Sequence, residues 1–247
     1  MTSHSRRTRI PAAAPKPASP PPPALLLECF AIVAPGLEAL ALAEAQALGL
    51  PAAPAEGGGG IEWRGDLRSV LLANAALRIS SRVVVRLASF EARSFAELER
   101  HARQIPWSRV VTAGGAVRFR VTCKKSKLYH SDAVAQRLAV AVTRGVAGVR
   151  IEGAGGTDED APDDEAQLFV VRVLRDRCTV SADTSGALLH RRGYRLATAK
   201  APLRETIAAA LVAASGWNAR SPLVDPFCGS GTIPVEAALM ARDKAPG

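Results

Sequence analysis

The residue types most suited to chemistry are concentrated in the string Asp225-Pro226-Phe227-Cys228-Gly229-Ser230-Gly231-Thr232, preceded by apolar Leu223-Val224 and followed by Ile233-Pro234-Val235-Glu236-Ala237-Ala238. This reads as a buried strand running into a Gly-Ser-Gly loop that opens a helix. In that geometry a parallel α/β sheet receives a nucleotide-like cofactor at the carboxyl end of a strand. Gly229 and Gly231 let the backbone approach a ligand and adopt dihedrals closed to other residues, and Pro234 falls in the first helical turn, where no intrahelical N–H bond is lost. A bare Gly-x-Gly occurs in any strand-to-helix turn, so the whole string carries the information. No third glycine follows at dinucleotide-fingerprint spacing, which disfavours NAD.

A second group of candidates is cationic. Ala116 to Thr122 alternates strictly, placing Val117, Phe119 and Val121 on one face of a strand and Arg118, Arg120 and Thr122 on the other. It runs into Cys123-Lys124-Lys125-Ser126-Lys127-Leu128-Tyr129-His130, after which Ser131 or Asp132 caps a helix with Val134, Leu138 and Val142 facing inward. Arg118, Arg120, Lys124, Lys125 and Lys127 thus converge near a helix N-terminus, where free N–H groups and the dipole already favour an anion. For any single lysine a solvated loop is as good a reading; for the group, a phosphate-binding surface is better.

Composition frames both groups. The chain of 247 residues is 48% hydrophobic, enough for a sizeable core, and its 32 Lys and Arg against 23 Asp and Glu leave a formal charge of +9. A basic balance favours a polyanionic partner, nucleic acid first. Cys29, Cys123, Cys178 and Cys228 show no Cys-x-x-Cys spacing. Neither a metal site nor a disulfide framework is predicted, and a reducing cytoplasm is the default. The longest apolar run is well short of a membrane span and no signal peptide is read.

The elements that must position these residues follow from periodicity. Residues 1–23, with Arg6, Arg7, Arg9 and a run of prolines, read as an extended, disordered tail. From 24 to 92 the predicted order is β-α-β-β-α-β, a ferredoxin-like unit: a strand over Leu25 to Val33, a helix from Pro35 to Gly49, a hairpin at Gly57 to Gly60, a helix capped by Asp66, and a valine-rich strand over Ser81 to Leu87. The acidic run Asp158 to Glu165 repels phosphate and should project away from any RNA face, and Leu168 to Leu174 with Cys178 to Ala182 form a hairpin around Arg175-Asp176-Arg177. Pro202 to Ser215 reads as a helix ended by Gly216, with Leu203, Ile207, Leu211 and Ala214 on its packing face.

The string from Asp225 to Thr232 resembles motif I of class I S-adenosylmethionine-dependent methyltransferases. Asp183-Thr184-Ser185-Gly186-Ala187-Leu188-Leu189-His190-Arg191-Arg192-Gly193-Tyr194-Arg195 and Ala201 to Leu211 resemble the segment joining a THUMP domain to its methyltransferase domain. The pattern is similar to that of bacterial large-subunit ribosomal RNA guanine-N2 methyltransferases. The resemblance implies an α+β architecture: the ferredoxin-like domain at 24–92, a THUMP RNA-binding domain at 93–184, a linker at 185–200 and, at 201–247, the start of an α/β Rossmann-like methyltransferase domain. It implies S-adenosylmethionine as cofactor, held by Asp225, Pro226, Phe227, Gly229, Ser230, Gly231 and Thr232. It also implies ribosomal RNA as partner, held by the five cations above together with Arg191, Arg192 and Arg195, which either touch RNA backbone or fix the domain interface. Methyl transfer to an exocyclic amine needs positioning rather than a protein nucleophile, so Cys228 is read as a small loop residue. A βαβ unit takes about 30 residues or more, and the second-strand acidic residue and the Asn/Asp-Pro-Pro-Tyr-type motif of the resembled family have no counterpart before Gly247. The chain therefore reads as a fragment of such an enzyme. The alternative is an RNA-binding module without catalysis.

Overall fold

The computed structural model describes residues 26–154, 166–194 and 203–247. Expectations for the tail, the acidic run 158–165 and Arg195 lie outside the described residues. β1 (Leu27–Ile32), α1 (Glu38–Ala47), β2 (Ala53–Pro54), β3 (Gly60–Gly65), α2 (Leu67–Ala76) and β4 (Arg82–Glu91) give the expected β-α-β-β-α-β order. Asp66 caps α2 by accepting from the Ser69 amide at 3.0 Å. Alternate residues of the strands, among them Ala31, Ile61, Trp63 and Val83, pack with Ala41, Ala45, Val70 and Ala73 of the two helices into one core.

The segment from 93 to 115, to which the sequence assigned no element, contains α3 (Phe95–Ala102) and a single 3₁₀ turn at Trp107–Arg109. Its signal was present: Ser94 accepts from the Glu97 amide at 3.3 Å and Glu97 reaches back to the Arg93 amide at 2.7 Å, a close variant of the capping box. Then follow β5 (Ala116–Lys124), α4 (Ser131–Gly145), β6 (Arg150–Ala154), β7 (Gln167–Leu174) and β8 (Arg177–Asp183). Val117, Phe119 and Val121 of β5 and Val134, Leu138 and Val142 of α4 meet in a second core as the alternation predicted. Trp107 stands edge-on to Phe169 at 5.2 Å in its centre. The α4 cap is different: the N-cap position is His130, no side chain caps it, and Ser131 is already helical.

A single eight-stranded sheet in the order β2-β3-β1-β4-β8-β7-β5-β6 runs through both cores. The join is β4, whose residues 82–86 pair with β1 on one edge while 84–91 pair with β8 on the other, with a register shift between Arg86 and Ala88. Val85 of the first core stands opposite Ala182 of the second, so the two cores and α1 to α4 share one face of the sheet. Among the described residues, no helix covers most of the width of the other face.

The C-terminal part departs from expectation twice. Leu223 to Asp225 is not a strand, and Val224 is 83% exposed. A parallel strand exists only through its neighbours' hydrogen bonds, and none of the described residues offers them. α5 (Glu205–Ala214) forms and ends at Gly216, with φ +68°, but it turns the opposite face inward. Ala208, Ala209, Ala210 and Val212 are buried against α1 and α6 (Thr232–Ala241), whereas Leu203 and Leu211 are exposed. The small residues allow close helix approach; the larger ones have no sheet to cover.

Candidate functional site

Register places the strand arginines. Arg120 stands opposite Val170, Val170 opposite Ser181, Ser181 opposite Arg86 and Arg86 opposite Glu28, so this row crosses five strands on the helix-free face. Arg118 and Arg120 are half-buried there. At the end of β5 the chain turns through Lys125, which takes φ +50°. The loop is pinned to the β7–β8 turn. The Lys127 amide donates to Asp176 Oδ1 at 2.7 Å, the Asp176 amide donates to Ser126 Oγ at 3.0 Å, and the Arg175 amide donates to the Lys124 carbonyl at 3.2 Å. Backbone bonding thus fixes the loop while the side chains of Lys124, Lys125 and Lys127 stay in solvent. The same bonds bring exposed Arg175 and Arg177 alongside, two cations the sequence reading used only as turn residues. Alternation and charge predicted the lysines; the Asp176 anchor, about fifty positions away, had no local signal.

The linker cations separate. Arg191 is exposed. Arg192 is not available to a polyanion: its side chain is 2% exposed, ion-paired with Glu236 of α6, which is fully buried. Its Nη2 donates to the Arg78 carbonyl at 2.5 Å and its Nε to the Leu189 carbonyl at 3.3 Å. Tyr194 donates its hydroxyl to Glu236 Oε1 at 2.8 Å, and burial, then that carboxylate, push the phenol upward from its ordinary pKa. Arg78 is held below the usual guanidinium range by burial and by neighbouring Arg192, while Glu44 of α1, raised by burial, accepts from the Arg78 and Ile79 amides. Of the two roles left open for the linker arginines, Arg192 takes the second and, with Tyr194, fixes the interface between the N-terminal sheet and α6. Buried ions of this kind persist only when paired and hydrogen-bonded.

A similar buried pair, Arg82 with Asp183, closes the start of the linker, with Gly186 adding its carbonyl to Arg82 and its amide to Asp183. Burial raises the Asp183 carboxyl above its usual range despite that partner.

The loop of the Asp225 string is ordered by short-range bonds. Asp225 Oδ1 accepts from the Phe227 amide at 3.0 Å, and the Gly231 amide donates to the Cys228 carbonyl at 2.7 Å. Gly229 and Gly231 take φ +51° and +76°, the left-handed region expected of them. Gly231 is the N-cap of α6, no side chain caps that helix, and a Cβ at Gly231 would meet nothing within 4 Å. Asp225 is half-buried, Thr232 buried, Pro226, Cys228, Gly229 and Ser230 exposed, and Phe227 is 92% exposed. The arrangement can present backbone amides at a helix N-terminus to an anionic or polar ligand from one side.

A ferredoxin-like half, one continuous mixed sheet and a Gly-x-Gly loop opening a helix define an α+β class of chain. The comparisons agree with that class. Residues 28–84 match the family model of the RlmL ferredoxin-like domain, and residues 192–247 match UPF0020, the RMKL-like methyltransferase domain. The chain is thereby related to RlmL/RlmKL-like methyltransferases. It is 34% identical over 213 residues to the Bacillus subtilis (strain 168) protein named "Putative RNA methyltransferase YpsC", covering 86% of this chain and 54% of that protein. It is 36% identical over 225 residues to the "Ribosomal RNA large subunit methyltransferase K/L" of Syntrophotalea carbinolica, covering 90% of this chain and 31% of that one. Among solved structures, SMU.472, described as "a putative methyltransferase complexed with SAH", superposes with a TM-score of 0.75 at 27% identity, over 90% of this chain and 57% of that one. The chain spans about half, or less, of the length of these relatives. Among the described residues no helix is long and apolar enough to cross a membrane.

Proposed function

We propose that this chain is the RNA-binding portion and first cofactor motif of an S-adenosylmethionine-dependent RNA methyltransferase acting on an exocyclic base amine, guanine N2 of large-subunit ribosomal RNA. The observation that carries the reading is the union, in one chain, of the left-handed Gly229/Gly231 loop at the uncapped N-terminus of α6 with a sheet face and loop rich in cations. Residues 93–184 act as the THUMP-type module, and Lys124, Lys125, Lys127, Arg118 and Arg120 hold phosphates, supported by Arg191. The names of the relatives support an RNA substrate, and the SAH in SMU.472 supports the cofactor.

The residues present fit that cofactor, because the loop lacks side chains at its two glycines and begins a helix whose positive end favours a carboxylate. When bound, S-adenosylmethionine supplies an electrophilic methyl group. In this chain Asp225 fixes the turn through the Phe227 amide, the glycines give room for close approach, and Glu236 with Arg192 holds α6 to the RNA-binding half. Positioning of this kind is what an in-line displacement needs. The test is ultraviolet cross-linking of a ribosomal RNA hairpin to the purified chain with peptide mapping. Cross-links are expected within 116–130 and around 175–177; cross-links confined to other segments would refute the assignment.

One observation favours a second reading for the chain on its own. Leu223 to Asp225 is unpaired and Phe227 stands almost fully in solvent, so the loop forms one wall of a site. In that state the chain binds RNA without transferring methyl groups.

A further inference from the structure

The helix-free sheet face holds a cleft of about 470 Å³, in the range of a small-ligand pocket. Its floor is the middle of the sheet, with Phe30, Val84 and Val170 as apolar surface. One end is roofed by the Gly57–Gly60 hairpin, which Arg172 of β7 clamps by donating to the carbonyls of Gly58 and Gly57, both at 3.1 Å. The other end is bounded by the first turn of α5, at Arg204, Thr206 and Ile207. Arg86 lies in the cleft with its guanidinium 4.9 Å from the centre of the Phe30 ring, steadied by Glu62 at 2.7 Å. Arg120 is three strands from Arg86 in the same cross-strand row, with β7 and β8 between them, and Lys124 lines the cleft where it opens toward the lysine loop.

A duplex is too wide for such a space, and phosphate alone would leave the apolar floor unused. We infer that the cleft takes one unpaired nucleotide of the bound RNA, its base stacked on the flat guanidinium of Arg86 and its phosphate directed toward Lys124. A guanidinium plane already lying on an aromatic ring, and held there by a carboxylate, is a preformed platform for a base, and stacking on Arg or aromatic planes is the common mode for unpaired RNA bases. The hydroxyls of Thr122, Thr179 and Ser181 in the same lining offer partners for ribose and base edges. The inference rests on the RNA-binding reading above and deepens it: the lysine loop grips the helix backbone, the cleft selects RNA that has a nucleotide to release.

The test compares two RNA hairpins of equal stem length, one fully paired and one with a single unpaired 2-aminopurine, by anisotropy and fluorescence with the full chain. The unpaired nucleotide should raise affinity about tenfold, within the range of one stacked base, and its fluorescence should be quenched on binding. Thr179→Trp, which fills the cleft from a half-exposed position, and Arg86→Met should each bring the two hairpins to equal affinity; exposed Thr122→Trp serves if Thr179→Trp does not fold. Lys125 and Lys127 to alanine, outside the cleft lining, should weaken both equally. Equal binding of the two hairpins by the unaltered chain, or a preference that survives all cleft variants, overturns the inference. No binding of either hairpin would instead refute the RNA-binding reading.

Discussion

Gly231 carries α6 at φ +76°, and an alanine there would sit in the left-handed region without a clash but with backbone strain. Gly231→Ala should therefore cost about 1–2 kcal/mol, read as a lower urea midpoint and faster amide exchange in the first turn of α6. The cysteines make a second residue-scale expectation. Burial pushes the Cys29 thiol up to about 11 and the Cys178 thiol up to about 12, so both remain protonated and unreactive through the neutral range, whereas Cys228 is exposed. In native buffer at pH 8 a disulfide exchange reagent should titrate Cys228 first and leave Cys29 and Cys178 untouched until denaturant is added; rapid labelling of Cys178 would contradict the packing of β8. At this scale the sequence showed backbone requirements well, since glycines at 229 and 231 have few other uses. It could not separate Arg191 from Arg192. Only the fold brings Glu236, 44 positions later, against one and leaves the other in solvent.

At the scale of elements, α6 is tied to the N-terminal half through a buried charge cluster rather than through apolar area alone. Arg192→Ala leaves Glu236 buried without its cation and should cost about 3–5 kcal/mol, whereas the double variant Arg192→Met with Glu236→Leu should recover most of that loss. Chemical denaturation of the three variants checks this; equal losses in the single and double variants would mean that the pair is not what holds the helix. α5 gives a sharper comparison, because sequence and structure disagree about its inner face. Ala209→Leu, at a fully buried site, should destabilise by about 1–3 kcal/mol through overpacking. Leu211→Ala, at a 49% exposed site, should fall within about 0.5 kcal/mol of the unaltered chain. Periodicity made the helices of the ferredoxin-like unit, the β5 alternation and the β7–β8 hairpin legible, because each is specified by its own residues. The α5 face and the Leu223 to Asp225 strand were not legible. A helix with apolar residues on two sides chooses by what lies beside it, and a strand requires partners.

For the whole molecule, the feature least visible from sequence is the continuity of the sheet. The two cores do not part at residue 92, since Leu87, Ala88, Phe90 and Ala92 pack into the second one, and β4 pairs on both edges to make one eight-stranded platform whose bare face carries Arg86, Arg118 and Arg120. No local pattern announces that a ten-residue strand will serve two neighbours. With the Asp225 loop forming a single wall, the purified chain should incorporate no appreciable label from radiolabelled S-adenosylmethionine into unmodified ribosomal RNA. Robust incorporation, lost on Gly229→Ala with Gly231→Ala, would show that one wall suffices. The central claim, that this platform and its lysine loop hold RNA, is tested most directly by the salt dependence of affinity for a ribosomal RNA hairpin. The logarithm of the association constant should fall linearly with the logarithm of salt, with a slope of roughly 0.7 to 0.9 per phosphate contacted. Replacing Lys124, Lys125 and Lys127 by alanine should both weaken binding and flatten that slope by about two to three; unchanged affinity and slope in the triple variant would contradict the account.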